Sequence, residues 1–547
     1  MKGHRSGVSP LAAADTVFDR IRRALAANDI TQAAKLAEKA LGRGMADPMI
    51  LNLAAWRREE NRDFAGAHRL LQRALALSPG DPLILGAIAA VLRKEGRPED
   101  ALIGIDQALA IAPLHAAGWL ERGYVQDGLR NWNDARASFA RALELDPMLA
   151  PAMAKLADAA AKDGDAATAH ALAERALAID PTDATAACAL ATIAIEARDG
   201  VSAELRLRPL LAGSVRGDDR TRALTLLGDA LDRQDRVGEA FAAYRLAQQS
   251  FRSLYTRDLA PTAARPSHRT FIEAITRQLD TSPYVEPATR AQPTIAAATH
   301  VFLLGYPRSG TTLAENVLAS AADVIALEER ETLADTDEVL VANDGTMAPL
   351  DALEPNTLER LRLAYWQRVV AMAGPVAGKT FVDMNPFNGI KLPVIAQLFP
   401  DARILIMRRD PRDIVLSCYR INFTPSTAAW AFSDLEETAR HYDALMSLIE
   451  VAKQKLPLAF HELRYDRLVA DFEPTVRDFA GFIGLGWTEE FHRFDRTAQR
   501  RGVRTASATQ VRRGLFDGRG QWRRYAEQLG PVLPILAPWV ERYGFDS

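Results

Sequence analysis

The sequence predicts an α-solenoid of stacked helix pairs followed by an α/β domain with a parallel sheet. Three observations carry that prediction. Pro79, Pro113, Pro147 and Pro181 recur at intervals of 34 residues. An apolar run, His300 to Leu304, leads into a turn bearing Gly305 and Gly310 and then a helical pattern through Ser320. A second apolar strand, Arg403 to Met407, passes through Asp410-Pro411 into another helix. The boundaries expected are a repeat solenoid over 1–254, a connecting segment over 255–299 and the α/β domain over 300–547.

The repeat is legible residue by residue. Before each of the four prolines stands one word: Arg-Ala-Leu-Ala-Leu-Ser, Gln-Ala-Leu-Ala-Ile-Ala, Arg-Ala-Leu-Glu-Leu-Asp and Arg-Ala-Leu-Ala-Ile-Asp. Its alanine falls at Ala40, Ala74, Ala108, Ala142 and Ala176. A second alanine leads each by seven residues, at Ala33, Ala67, Ala101, Ala135 and Ala169. Seven residues is two helical turns, so both small side chains share one face and let a neighbouring helix approach. The proline stops the helix before the next unit. This pattern resembles the tetratricopeptide repeat in period and alanine placement. Five repeats cover roughly 14–181, a worn sixth surrounds Ala203, and a seventh carries Gly228, Ala240, Tyr244 and Ala247. Such a stack implies a concave groove for a peptide or protein. An architectural arm or a self-association surface stays open beside it. The segment 255–299, punctuated by five prolines from Pro261 to Pro293, reads as a connection packed on the next domain, with a short helix near Phe271 to Gln278.

Composition sets the outer limits. The 547 residues include 67 basic and 70 acidic side chains, a net charge of -3. Bulk charge therefore points to neither nucleic acid nor a membrane surface. Cys188 and Cys418 are the two cysteines and have no metal-type spacing. Neither a disulfide framework nor a zinc module is expected, and no metal is implied. No run approaches the 18 apolar residues of a membrane span, and Met1 to Phe18 lacks the apolar core of a signal peptide. A cytoplasmic protein is the expectation.

The chemistry is concentrated in the second half. In Gly305-Tyr306-Pro307-Arg308-Ser309-Gly310-Thr311-Thr312-Leu313, a strand gives way to a turn and then a helix. Such a turn aims backbone N–H groups and a helix dipole at one point, which suits a phosphate. The glycine spacing is that of a Walker A loop, but Thr311 occupies the lysine position. A nucleotide triphosphatase or kinase would need that lysine. In the second block, Arg408-Arg409-Asp410-Pro411, Asp410 caps and Pro411 opens a helix carrying Ser417.

These blocks resemble the sulfotransferases that use 3′-phosphoadenosine 5′-phosphosulfate (PAPS). The resemblance is strongest to protein-tyrosine sulfotransferases and to bacterial sulfotransferases with tetratricopeptide repeats. It covers most of 300–547 and implies a P-loop-like domain. It further implies that Pro307, Arg308, Ser309, Gly310, Thr311 and Thr312 hold the 5′-phosphosulfate, and that Arg409 and Ser417 hold the 3′-phosphate. The strand Phe460 to Arg464 is similar to the family's strand ending in a nucleotide-facing tyrosine, here Tyr465. Arg500 to Tyr525 holds eight arginines and one acid, a local +7. With Arg512, Arg513 and Trp522-Arg523, it is similar to the basic segment that closes over the 3′-phosphate. The partners implied are PAPS and its product 3′,5′-ADP, with a peptide or protein in the repeat groove.

A general base is needed because an acceptor hydroxyl is weakly acidic. In the tyrosine-sulfating relatives it is a glutamate 21 residues beyond the loop arginine, and that count from Arg308 reaches Glu329. Glu328 is the neighbouring alternative. One position departs from the family. Where relatives carry a lysine after the third strand, this chain has Met384 in Asp383-Met384-Asn385-Pro386. A thioether cannot stabilise the leaving oxygen, which removes about 1–4 kcal/mol of transition-state stabilisation unless another cation acts. The reading is therefore a PAPS-dependent sulfotransferase, with Glu329 and Arg308 as catalytic residues, acting on an acceptor hydroxyl such as a protein tyrosine. A PAPS-binding protein impaired in turnover, a repeat scaffold and a nucleotide-dependent kinase are the alternatives.

Overall fold

The computed structural model describes residues 10–281, 284, 286–287, 291–340, 354–501 and 514–545. The chain forms two compact units, 1–161 with 165–190, and 162–164 with 191–547.

The first unit is the helical array. Its pairs are α1 (Pro10–Ala26) and α2 (Ile30–Leu41), α3 (Pro48–Glu60) and α4 (Phe64–Leu77), α5 (Pro82–Lys94) and α6 (Pro98–Ile111), α7 (Ala116–Gly128) and α8 (Trp132–Leu145), and α9 (Ala150–Asp163) and α10 (Ala166–Ile179). Aspartates start several of them: Asp29 accepts from the Gln32 N–H, Asp63 from Gly66 and Asp165 from Thr168. Pro48 and Pro82 sit in the first turns of α3 and α5, where no N–H is missed. Helices α4, α6, α8 and α10 each stop two residues before a period-setting proline, because the residue preceding proline is pushed out of helical geometry. All ten alanines of the two registers are buried, none more than 3% exposed. At Gly123 even a methyl would lie 2.3 Å from the Phe139 ring, so α7 and α8 pack backbone against aromatic.

The second unit begins within α11 (Ala184–Glu196) and continues through α12 (Gly200–Ala212), α13 (Gly217–Asp232) and α14 (Val237–Leu259). Here Gly228 repeats the close approach, 2.3 Å from Tyr244 for an added Cβ. Helix α14 runs past 254, burying Gln248 and Phe251 on the way. Helix α15 (His268–Thr281) is the short helix expected near 271–278.

The sheet follows, with all neighbours parallel in the order β2-β3-β1-β4-β5. The strands are β1 (Thr299–Leu304), β2 (Val324–Glu328), β3 (Thr380–Met384), β4 (Arg403–Arg408) and β5 (Ala459–Arg464). Strands β1, β3 and β4 are buried on both faces, as near-continuous apolar runs in a parallel sheet must be. The connections include α16 (Thr311–Leu318), α17 (Ala334–Leu340), α18 (Pro355–Ala373), α19 (Leu392–Leu398), α20 (Pro411–Tyr419), α21 (Thr427–Phe432) and α22 (Leu435–Lys455). One apolar cluster joins Val301, Leu303, Leu313, Val317, Val382, Leu405 and Phe479. Helix α15 lies against α22, where Arg269 bonds Glu437. Among the described residues no helix is long and apolar enough to cross a membrane.

Candidate functional site

Because the sheet is parallel, the residues after β1, β2, β3 and β4 all emerge at one edge, where α/β folds place their ligands. The turn after β1 is tight, with the Ser309 N–H donating to Tyr306 O at 3.0 Å. Its two glycines have steric reasons. A Cβ on Gly305 would stand 2.8 Å from Met407 O of β4. Gly310 has φ +109°, and a Cβ there would stand 2.7 Å from the Tyr465 ring. Arg308 adopts φ +71°, an uncommon conformation for a residue with a side chain. Helix α16 then starts at Thr311, with its first N–H groups directed back toward the loop.

The second block closes on this loop. Asp410 accepts from the Arg412 N–H at 2.9 Å and Pro411 begins α20, as the sequence implies. Arg308 Nε donates to Ser417 Oγ at 3.0 Å, leaving that hydroxyl its own proton to give. Arg409 Nη1 donates to Arg308 O at 2.9 Å and Nη2 to Gly518 O at 2.5 Å. The Arg409 guanidinium lies 4.7 Å from the centre of the Tyr465 ring, and the Tyr465 hydroxyl donates to Phe516 O at 2.6 Å. Arg308, Ser309, Arg409, Ser417 and Tyr465 are thus brought together.

The three arginines at the end of β4 divide sharply. Arg408 is buried against Glu450 and Glu462, and Arg412 is paired with Asp410. Arg409 has no carboxylate partner among the described residues. Burial and the neighbouring Arg409 charge lower Arg308 to about 10, with the Glu329 carboxylate acting in the opposite sense. Two cations held together around a loop make a site that an anion would relieve. Ser309 Oγ and Arg409 Nε are buried polar atoms without a hydrogen-bond partner among the described residues, again at the loop. These residues fit a phosphate-bearing donor.

Glu329 follows β2 directly. Its N–H donates to Met384 O at 2.7 Å and its φ is +46°, so strand pairing carries it to the same edge. Its charge reaches the Arg308 guanidinium. Thr311 and Thr312 are buried in the first turn of α16, and Pro307 is buried beside Cys418, whose thiol burial pushes up to about 12.

Met384 is fully buried within the apolar cluster. Lys391 is paired with Asp337, and Lys379 precedes β3 at the opposite end of the strand from the site. Arg512 and Arg513 lie outside the described residues. Within the basic stretch, Arg501 pairs with Glu315, Arg519 with Asp517 and Arg524 with Asp232 and Asp235. Two of these arginines, Arg501 and Arg524, are thus engaged by carboxylates from outside the stretch.

Several contributors carried no sequence signal. Asp413 accepts from the N–H groups of Gly520 and Trp522 at 2.8 and 2.9 Å, and Arg412 stacks on Trp522 at 3.9 Å. Residues 514–525 are pinned across the start of α20 in this way. Asp383, beside Met384, is buried between Thr332 and Tyr365, at 2.6 and 2.8 Å, and burial pushes its carboxyl up to about 6. Thr332 lies three residues beyond Glu329, so this bond ties down the loop that carries Glu329.

Comparison with known proteins agrees with this geometry. Residues 300–489 match the sulfotransferase family. Residues 59–121, and 18–82 with 120–184, match tetratricopeptide-repeat families. The chain therefore joins tetratricopeptide repeats to a sulfotransferase-family domain. Its relatives include an uncharacterized protein of Aquifex aeolicus (strain VF5), 28% identical over 44% of this chain and 34% of that protein. A putative protein-tyrosine sulfotransferase of Caenorhabditis briggsae is 21% identical over 45% of this chain and 89% of its own length. Protein-tyrosine sulfotransferase 1 of Danio rerio is 22% identical over 45% of this chain and 72% of its own. The chain spans about a third of the length of the Aquifex protein.

Proposed function

We propose that the second unit transfers a sulfuryl group from PAPS to an acceptor hydroxyl, while the repeats recruit the acceptor or a partner protein. The observation that carries this reading is the junction of the two blocks. Arg308 meets Ser417, and Arg409 spans Arg308 O and Gly518 O with no carboxylate partner among the described residues. A kinase would use a loop lysine and a metal instead.

When bound, PAPS supplies a sulfuryl group on a phosphosulfate anhydride. In this reading, Arg308, the N–H groups of Ser309 to Thr312 and the start of α16 bear the charge that grows on the 5′-phosphate as the sulfur–oxygen bond breaks. Arg409 and Ser417 hold the 3′-phosphate. Glu329 takes the acceptor proton as the acceptor oxygen bonds to sulfur. Positioning and charge stabilisation supply most of the acceleration, as in phosphoryl transfer. Protein tyrosine is the acceptor named by two relatives, and a cytoplasmic setting suits a sequence with two cysteines, both buried.

Incubation with PAPS, a tyrosine peptide, a carbohydrate and a small phenol, followed by mass spectrometry, tests the reading. An added sulfuryl group on one acceptor class, with 3′,5′-ADP released, is the expected result. The burial of Met384 among apolar side chains favours one second reading, a PAPS-binding protein without turnover. Tight 3′,5′-ADP binding with no sulfated product would select it.

A further inference from the structure

Helices α13 and α14 end the repeat pattern, yet their polar side chains are turned toward the donor site of their own unit. Asp232, the last residue of α13, is an acceptor for three side chains. Tyr525 OH reaches its Oδ1 at 2.5 Å, Arg524 Nη1 the same oxygen at 3.0 Å, and Arg420 Nη2 reaches Oδ2 at 3.2 Å. Asp229, one turn earlier, accepts from Tyr244 OH at 2.8 Å and stands 3.5 Å from Arg420. From α14, Gln248 Nε2 donates to Tyr419 O at 2.6 Å, and the Phe241 ring stacks on Tyr419 at 5.5 Å. Tyr244, Gln248, Tyr419 and Tyr525 are all buried.

The two places gripped are the two that shape the candidate 3′-phosphate site. Tyr419 and Arg420 close α20, and Arg420 is one turn beyond Ser417. Tyr525 is three residues beyond Trp522, whose N–H is held by Asp413 near the start of that same helix. Asp232 therefore ties the end of α20 to the end of the 514–525 strap. Ordinary repeat packing needs small apolar contacts between successive helices and does not call for such a carboxylate.

We infer that the α13–α14 pair is a built-in part of the donor site, with Asp232 as a positioning residue that sets the 514–525 strap and the Ser417 helix around the 3′-phosphate. The inference rests on the PAPS reading above. It implies that the sulfotransferase-family segment from 300 onward lacks part of its own donor site when the last helix pair is removed.

The test uses the full chain with Asp232→Asn, which keeps the shape and removes the charge. In ligand-free protein, amide exchange at Gly520 and Trp522 should quicken about tenfold, while the amides of α3–α6 exchange as in the unmodified chain. Calorimetry should show 3′,5′-ADP binding weakened about tenfold, with 5′-ADP binding changed less, because displaced positioning groups act on the 3′-phosphate. Asp232→Glu, which retains the carboxylate, should recover most of both losses. Gln248→Ala removes only the bond to Tyr419 O and should move both readouts the same way by a smaller factor. Unmodified exchange at Gly520 and Trp522 in both Asp232→Asn and Gln248→Ala would overturn the inference. Failure of the unmodified chain to bind 3′,5′-ADP would overturn the donor reading instead, and a separate measurement reads that failure.

Discussion

The two units hold their important residues together over different distances along the chain. In the first, side-chain pairs such as Arg57–Glu38 and Arg93–Glu121 join residues 19 and 28 apart, and Ala33 and Ala40 serve one helix face. In the second, Arg308 meets Ser417 across 109 residues, Arg409 meets Arg308 O across 101 and Gly518 O across 109. An array with nearest-neighbour contacts absorbs damage locally. A site assembled at the end of a parallel sheet does not, because each member is placed by several distant elements. One unit can thereby vary its surface while the other keeps its geometry.

That contrast can be broken most directly at Glu329, the proposed base. Glu329→Gln should lower kcat by about 10²–10⁴ while 3′,5′-ADP affinity stays within about twofold, since the carboxylate acts on the acceptor proton. Product formation measured beside calorimetry checks the split, and equal loss of both would assign Glu329 to binding. Arg308→Ala should lower turnover by about 10²–10³ and weaken nucleotide binding as well, because one guanidinium serves the transferring group and braces Ser417. In the first unit, Ala67→Leu overfills a fully buried position. It should destabilise that unit by about 1–3 kcal/mol and leave 3′,5′-ADP affinity unchanged. Thermal unfolding and calorimetry on one sample decide this.

A further effect, read through pH, concerns Asp383. Its carboxyl is raised to about 6 by burial, above the ordinary carboxylate value near 4. Between about pH 4 and 6 the folded chain therefore binds more protons than the unfolded one, and this group makes stability fall as pH rises through that window. Asp383→Asn should remove up to about 3 kcal/mol of that dependence, flattening the thermal midpoint against pH. Parallel curves for the two proteins would contradict it.

Regularity decided what could be read in advance. The period of 34 and the alanine registers repeat a local rule, and the helices fall between the prolines accordingly. Strand β1 was expected over 300–304 and runs Thr299–Leu304, because a buried parallel strand is a short apolar run ended by a turn. The loop, the α20 cap and the position of Glu329 are local patterns too. Asp232 is different. Nothing in a repeat register indicates that its last carboxylate binds Arg420 and Tyr525 nearly 200 and 300 residues away. Within the basic stretch, Arg501 and Arg524 answer acids that only folding brings near, whereas Arg519 pairs with its sequence neighbour Asp517. Met384 was visible as a missing lysine, but its burial depends on which face of β3 the core covers.

The central claim is that the two blocks form one site for a nucleotide with a 3′-phosphate, and calorimetry with 3′,5′-ADP against 5′-ADP tests it most directly. The account predicts that 3′,5′-ADP binds at least tenfold more tightly, about 1.4 kcal/mol or more, through Arg409 and Ser417. Equal affinity for the two nucleotides, or no binding of either, would contradict it.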